Sequence, residues 1–214
     1  MTRLSLLLSL LLLPSSGASQ TNHTTITFTA MGCGPYTPED AAAIRFYIQR
    51  ENKRPNRSEF IIHLGDINSG KAAREGKTNE QTYIDIRDLL TDSNTIPTYI
   101  VVGDNEWNDH KTPDKAWFWW NRHLLKLEDV HPPSWPTERQ AVRRENFSFT
   151  HKAVLFIGIN LVGGKVHDSE EWQKRFEQNN DWIEAQFEKH SPSIHAAVLF
   201  FQANPVGQGP SKDR

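Results

Sequence analysis

Phe60-Ile61-Ile62-His63-Leu64-Gly65-Asp66 and Pro97-Thr98-Tyr99-Ile100-Val101-Val102-Gly103-Asp104-Asn105-Glu106-Trp107 share one design. Each is a short, nearly continuous apolar run that leaves its strand through Gly-Asp. Apolar, β-branched runs of this length, bounded by turn residues, read as buried strands. Outward from them, Thr24 to Met31 and Ala196 to Phe201 read as strands, and Ala153 to Ile159 as a strand ending in Asn160. Between them lie helical patterns. Pro38-Glu39-Asp40 opens a helix running to about Glu51, with proline and acids in the first turn. Tyr83, Ile86, Leu89 and Leu90 recur at helical spacing within Glu80 to Leu90. Ala116 to Leu127 reads as a helix, and Glu170 to Lys189 as a long amphipathic one. Lys126 to Arg144, with Pro132, Pro133 and Pro136, reads as an irregular loop. The alternation predicts an α/β sheet covered on both faces.

Composition narrows the function. The chain has 214 residues, 24 Lys+Arg against 26 Asp+Glu, and 37% hydrophobic residues with seven Trp. One domain with a sizeable core is expected. The near-neutral balance gives no basic face for nucleic acid. A single cysteine, Cys33, excludes an internal disulfide framework and Cys-x-x-Cys zinc sites.

Met1-Thr2-Arg3, the apolar run Leu4 to Leu13 and the small residues through Ala18 have the layout of a secretory signal peptide over residues 1–18. The apolar run is about half of the ~20 residues a membrane span needs. The remainder, 19–214, is expected to be secreted or lumenal, with no stable membrane span. In that setting the sequons at Asn22, Asn56 and Asn146 become candidate glycosylation sites.

In open α/β sheets ligands collect at the carboxyl ends of strands. Here those ends carry Cys33, Gly65-Asp66, Gly103-Asp104-Asn105, Asn160 and Gln202. Carboxylates and amide oxygens suit hard or borderline divalent metals. Two neighbouring ions need a bridging carboxylate, for which Asp66 is the best placed. His110 and His167 follow two of these turns and join Cys33, Asn160 and Gln202 as accessory candidates. His63, inside a strand, reads as a packed residue bonded to backbone. The aromatic group Trp117, Trp119 and Trp120 reads as core.

His63-Leu64-Gly65-Asp66 with Gly70, and Val102-Gly103-Asp104-Asn105-Glu106-Trp107, resemble blocks of the calcineurin-like metallophosphoesterase superfamily. The likeness spans about residues 25 to 207. It implies a layered β-sandwich core flanked by helices, two divalent metal ions (Fe, Zn or Mn) and hydrolysis of a phosphate ester, on a small molecule or a phosphoprotein. Asp66 inherits the bridging role. Aligned on Gly103, Asp104 takes a ligand position and Asn105 that of the family's catalytic histidine; the alternative register makes Asn105 the ligand. The departures are equally specific. Cys33 and Pro35 stand where the family has Asp-x-His, Gln202 stands for a later histidine, and the block Gly-His-x-His has no counterpart before Arg214. The last part of the domain is therefore expected to be missing. A catalytically inactive relative or fragment is the competing expectation, and a secreted binding module with exposed tryptophans a third.

Overall fold

A computed structural model describes residues 25–204. The signal segment and the Asn22 sequon lie outside them. The fold is mixed α/β with two sheets and five α-helices. The first sheet is parallel, with β1 (Phe28–Met31), β2 (Phe60–His63) and β3 (Thr98–Ile100) in that order. The second has the order β4 (Glu138–Arg139), β5 (Phe147–His151), β6 (Val154–Gly158) and β7 (Ala196–Phe200). In it β6 and β7 are parallel and the other pairs antiparallel. The helices are α1 (Pro38–Asn52), α2 (Gly70–Glu75), α3 (Glu80–Thr91), α4 (Pro113–His123) and α5 (Ser169–His190).

The expected α/β sheet covered on both faces is present, and its cover is a second sheet on one side and helices on the other. The cause lies in the period of two along each strand. Phe60, Ile62, Tyr99 and Val101 point one way and meet Phe147, Phe149, Phe156 and Phe200 of the second sheet. Phe28 stacks on Phe60 at 5.0 Å, and Tyr99 on Phe149 at 4.8 Å. Such pairs contribute about 0.5–1.5 kcal/mol each beyond the area they bury. Ile61, Ile100 and Val102 point the other way, into a core shared with Ile48, Ile86, Leu90 and Trp120. Leu155 and Ile157 face outward from the second sheet, against Trp182 and Ile183 of α5. A strand buried by helices on one side and by a sheet on the other is apolar at every position. The sequence shows this continuity but not what covers each face.

Local signals explain most element starts. Thr37 and Asp40 form a capping box around the first turn that Pro38 opens, and Asp168 accepts from the amides of Glu170 and Glu171 to start α5. The helix read over Ala116 to Leu127 starts and ends earlier, at Pro113 and His123. Trp117 stacks on the fully buried Trp120 at 5.6 Å, and Trp119 packs against Tyr83 and His110, so this group is core as expected. No helix of the described residues is long and apolar enough to cross a membrane. Because all three strands of the first sheet run parallel, and β6 and β7 run parallel to each other, the loops that leave them collect at shared rims.

Candidate active site

Four strand exits meet at one rim. Gln202, after β7, donates its Nε2 to Asp66 Oδ2 at 3.2 Å and to Asp104 Oδ1 at 3.4 Å. Asp66 follows β2 and Asp104 follows β3. Cys33, after β1, donates its thiol to Asp66 Oδ2 at 3.6 Å. The carboxyl of Asp104 is within hydrogen-bonding reach of that of Asp66. The backbone is strained here: Cys33 and Asp66 both have φ of 58°, a left-handed conformation that costs a non-glycine residue on the order of 1 kcal/mol or more.

Glu106 holds the two Gly-Asp loops together. Its Oε1 accepts from the amides of Asp66 (3.1 Å) and Gly103 (2.6 Å), and its Oε2 from that of Ile67 (3.3 Å). The loops pass so closely that a Cβ on Gly103 would lie 2.1 Å from the Asp66 nitrogen, which only glycine avoids. His63 fastens the first exit. Its Nε2–H donates to the Gly34 carbonyl at 2.9 Å and its Nδ1 accepts from Gly65 at 3.2 Å, so it is the backbone-bonded residue expected.

Charge is concentrated and poorly balanced. Burial, then Asp66 and Asp109, push the Asp104 carboxyl up to about 7. Burial and the Asp66 charge raise the fully buried Glu106 to about 8, against the pull of its backbone donors. Cys33 is exposed as a residue, yet desolvation of its thiol and the Asp66 charge raise its pKa, so it donates as a neutral thiol. Tyr36, hydrogen-bonded to Cys33, is raised likewise by burial and by Asp66. Arg74 pairs with Asp109 at 3.2 Å, not with Asp66 or Asp104.

The other expected participants are elsewhere. Asn105 is buried and spends its Nδ2 on the Asn68 carbonyl at 2.9 Å; only its backbone N–H reaches Asp66, at 3.4 Å. His110 is a correction: it is buried with Nε2 on Thr78 Oγ1 (2.8 Å) and Nδ1 accepting from Thr112 (3.0 Å), so both nitrogens are used away from the rim. His167 lies edge-on to Trp107 at 5.5 Å with its Nδ1 buried and unbonded. Asn160 is a second correction, bonded to Glu145 (3.0 Å), Arg175 (3.2 Å) and Asn179 (2.9 Å) beneath α5. Asn146 is fully buried and gives its Nδ2 to Gln140 (2.7 Å) and Asn179 (2.8 Å); it is a structural amide in this fold, not a glycan acceptor. Asn56 is exposed and remains a candidate.

Sequence reasoning assigned no role to Glu106, Asp109, Arg74 or Tyr36. Glu106 stands inside a quoted block and Tyr36 next to Pro35, but nothing in their spacing says which way they point. Asp109 and Arg74 carry no signal at all.

The residues present were tested against a metal. Two adjoining carboxylates without a cation between them fit one hard divalent ion in charge and donor type. Among the described residues no group of three or more His, Cys, Asp or Glu is placed to hold an ion, so a metal here, one ion or two, would rest chiefly on these two carboxylates. Compared with known proteins, the chain matches no family model and no curated sequence.

Proposed function

We propose that this chain is a hydrolase of phosphate esters on a metallophosphoesterase-like layered scaffold, acting in the secretory pathway with a divalent cation between Asp66 and Asp104. One observation carries the reading: two carboxylates from separate strand exits converge on the same Gln202 amide, in a site where one of them resists ionisation. Acids brought together against their own repulsion are a common mark of a functional site. A bound divalent cation would supply an acidified water and polarise a phosphoryl oxygen. The chain's own contribution is positional. Glu106 fixes the separation of the two loops, Gly103 lets them touch, and Gly163 accepts no freedom from Gln202, since its N–H holds Gln202 Oε1 at 2.9 Å.

That last contact also favours the second reading, a non-catalytic relative. With Oε1 tied to Gly163, the amide N–H₂ of Gln202 faces both acids and satisfies them in place of an ion.

The two separate in one experiment. The purified chain is titrated with Mn²⁺, Mg²⁺ and Zn²⁺ by calorimetry and assayed on p-nitrophenyl phosphate and its bis ester. The hydrolase reading expects about one equivalent of ion and a turnover that falls at least ~100-fold in Asp66→Asn, roughly 2.7 kcal/mol of transition-state stabilisation. Ion-free protein with no turnover and an intact circular dichroism spectrum establishes the non-catalytic relative.

A further inference from the structure

Among the described residues β1 pairs only with β2 and β7 only with β6, and Phe28 lies edge-on to Phe156 (5.9 Å) and Phe200 (5.7 Å), so β1 and β7 lie on the same flank. Between β1 and α1 is a cavity of about 400 Å³. This is within the ~300–1,000 Å³ typical of small-molecule sites. Its lining divides cleanly. Met31, Ile44, Ile48 and Ile61 form an apolar floor, while Arg50 and Arg54 stand with Glu51 on one wall.

The wall is cationic on balance. Glu51 is nine-tenths buried and already compensated: one oxygen accepts from the Ser58 amide (2.7 Å) and hydroxyl (2.9 Å), the other from Arg54 (3.0 Å). Arg50 makes no ion pair among the described residues, nor does Lys53 in the adjoining depression. Tyr47 forms one lip of the cavity, with Phe46 edge-on to it at 5.7 Å, and both are 60% exposed. A cavity of this volume with an apolar lining and one unpaired guanidinium, Arg50, at its edge has the make-up of a small-molecule site. A purely polar anion would leave the isoleucine floor unused. A neutral apolar ligand would leave Arg50 without a partner.

We propose that this groove binds a single-chain amphiphile with an anionic head, dissolved as a monomer, its chain on Met31, Ile44, Ile48 and Ile61 and its carboxylate or phosphate on Arg50 and Arg54. The site is independent of the acidic rim and of the hydrolase reading.

The test is calorimetric titration of the full chain with laurate, dodecyl phosphate, dodecanol and butyrate. Laurate and dodecyl phosphate should saturate at one equivalent, dodecanol should bind at least tenfold more weakly, and butyrate should not bind. Arg50→Glu, at an exposed position, should weaken both anions at least tenfold and leave dodecanol unchanged; circular dichroism checks that the fold persists. Ile44→Asn should weaken all three long-chain ligands. Absence of saturable laurate binding overturns the proposal, as does equal affinity for laurate and dodecanol or an Arg50→Glu chain that binds laurate normally. Sedimentation with phosphatidylserine vesicles supplies the last arm. Association with vesicles but not with monomeric laurate overturns the pocket and makes Phe46 and Tyr47 a bilayer contact.

Discussion

Two polar clusters of this molecule lie at strand exits, and they are built on opposite terms. Beneath α5, Asn146 gives two bonds of 2.7 and 2.8 Å, its Oδ1 accepts from the Asn160 amide at 2.7 Å, and Asn179 closes back on the Asn160 carbonyl at 2.9 Å. At the rim, the contacts to Asp66 and Asp104 are 3.2, 3.4, 3.4 and 3.6 Å. An amide carries donors and an acceptor on one group, so amides can satisfy one another and close a network. Carboxylates only accept. Placed together they need donors or a cation from outside, and here they have the Gln202 amide, the Asn105 backbone N–H and one thiol, all at long range. The closed cluster is architecture. The under-supplied cluster is the place for a ligand, although Asp66 and Asn160 look alike in the sequence.

The largest expected effect breaks the closed cluster. Asn146→Ala strands Gln140 Oε1, Asn179 Oδ1 and the Asn160 N–H in a buried setting. Unsatisfied buried groups cost roughly 1–3 kcal/mol each, so a loss of about 4 kcal/mol is expected. Urea unfolding followed by circular dichroism measures it. A loss below about 1 kcal/mol would mean that water reaches the cluster and that it is not closed.

The next expected effect concerns His63, which sits at the rim but is satisfied in the manner of the buried network. Burial holds its ring to about 4, below the ordinary 6.5, although the Gly34 carbonyl and Asp66 favour the charged form. The unfolded ring takes its proton near 6.5 and the folded ring only near 4. Between these values the unfolded chain binds more protons. The contribution is therefore fully present above about 6.5 and is lost as pH falls toward 4, by up to about 3 kcal/mol. In His63→Gln this part of the slope should vanish. An unchanged difference in stability between pH 7 and pH 4.5 would show that the ring is not held neutral.

The contrast between the clusters also marks what the sequence made readable. Glycine followed by aspartate at the end of an apolar run located Asp66 and Asp104, because a strand exit has one physical location in a parallel sheet. Cys33 and Gln202 were found for the same reason. The β5–β6 hairpin was not read, since its turn uses Lys152 and Ala153 at φ of 49° and 59°, without the Asn-Gly signature such a turn normally needs. α2, a six-residue helix, is too short to show a period. Direction was the harder matter. Asn146 meets the sequon pattern, yet it points into the protein, and His110 follows the Gly-Asp block, yet it turns to Thr78. Spacing reports the element and the position along it. Which partner a side chain finds depends on residues 30 or more positions away, such as Asn179 for Asn146.

The smallest expected effect is the one that sharpens the comparison most. Asp104 is pushed up to about 7 from an ordinary 3.8, first by burial and then by Asp66 and Asp109. A carboxyl raised in the folded state contributes stability that is complete below about 3.8 and lost as pH rises through 7. Asp104→Asn removes the charge and keeps the shape. At pH 8 without divalent ions it should stabilise the fold by about 1 kcal/mol, discounted from the full shift because the side chain is only half-buried. At pH 4 it should change nothing. Saturating Mn²⁺ should then reverse the order, since an ion that binds only the folded wild-type site stabilises it by mass action and leaves the variant behind. Thermal melts at the two pH values, with and without Mn²⁺, give all four numbers. If Asp104→Asn is destabilising at pH 8 without ions, the carboxylates are adequately supplied with donors, and the rim is a second closed network like the one beneath α5.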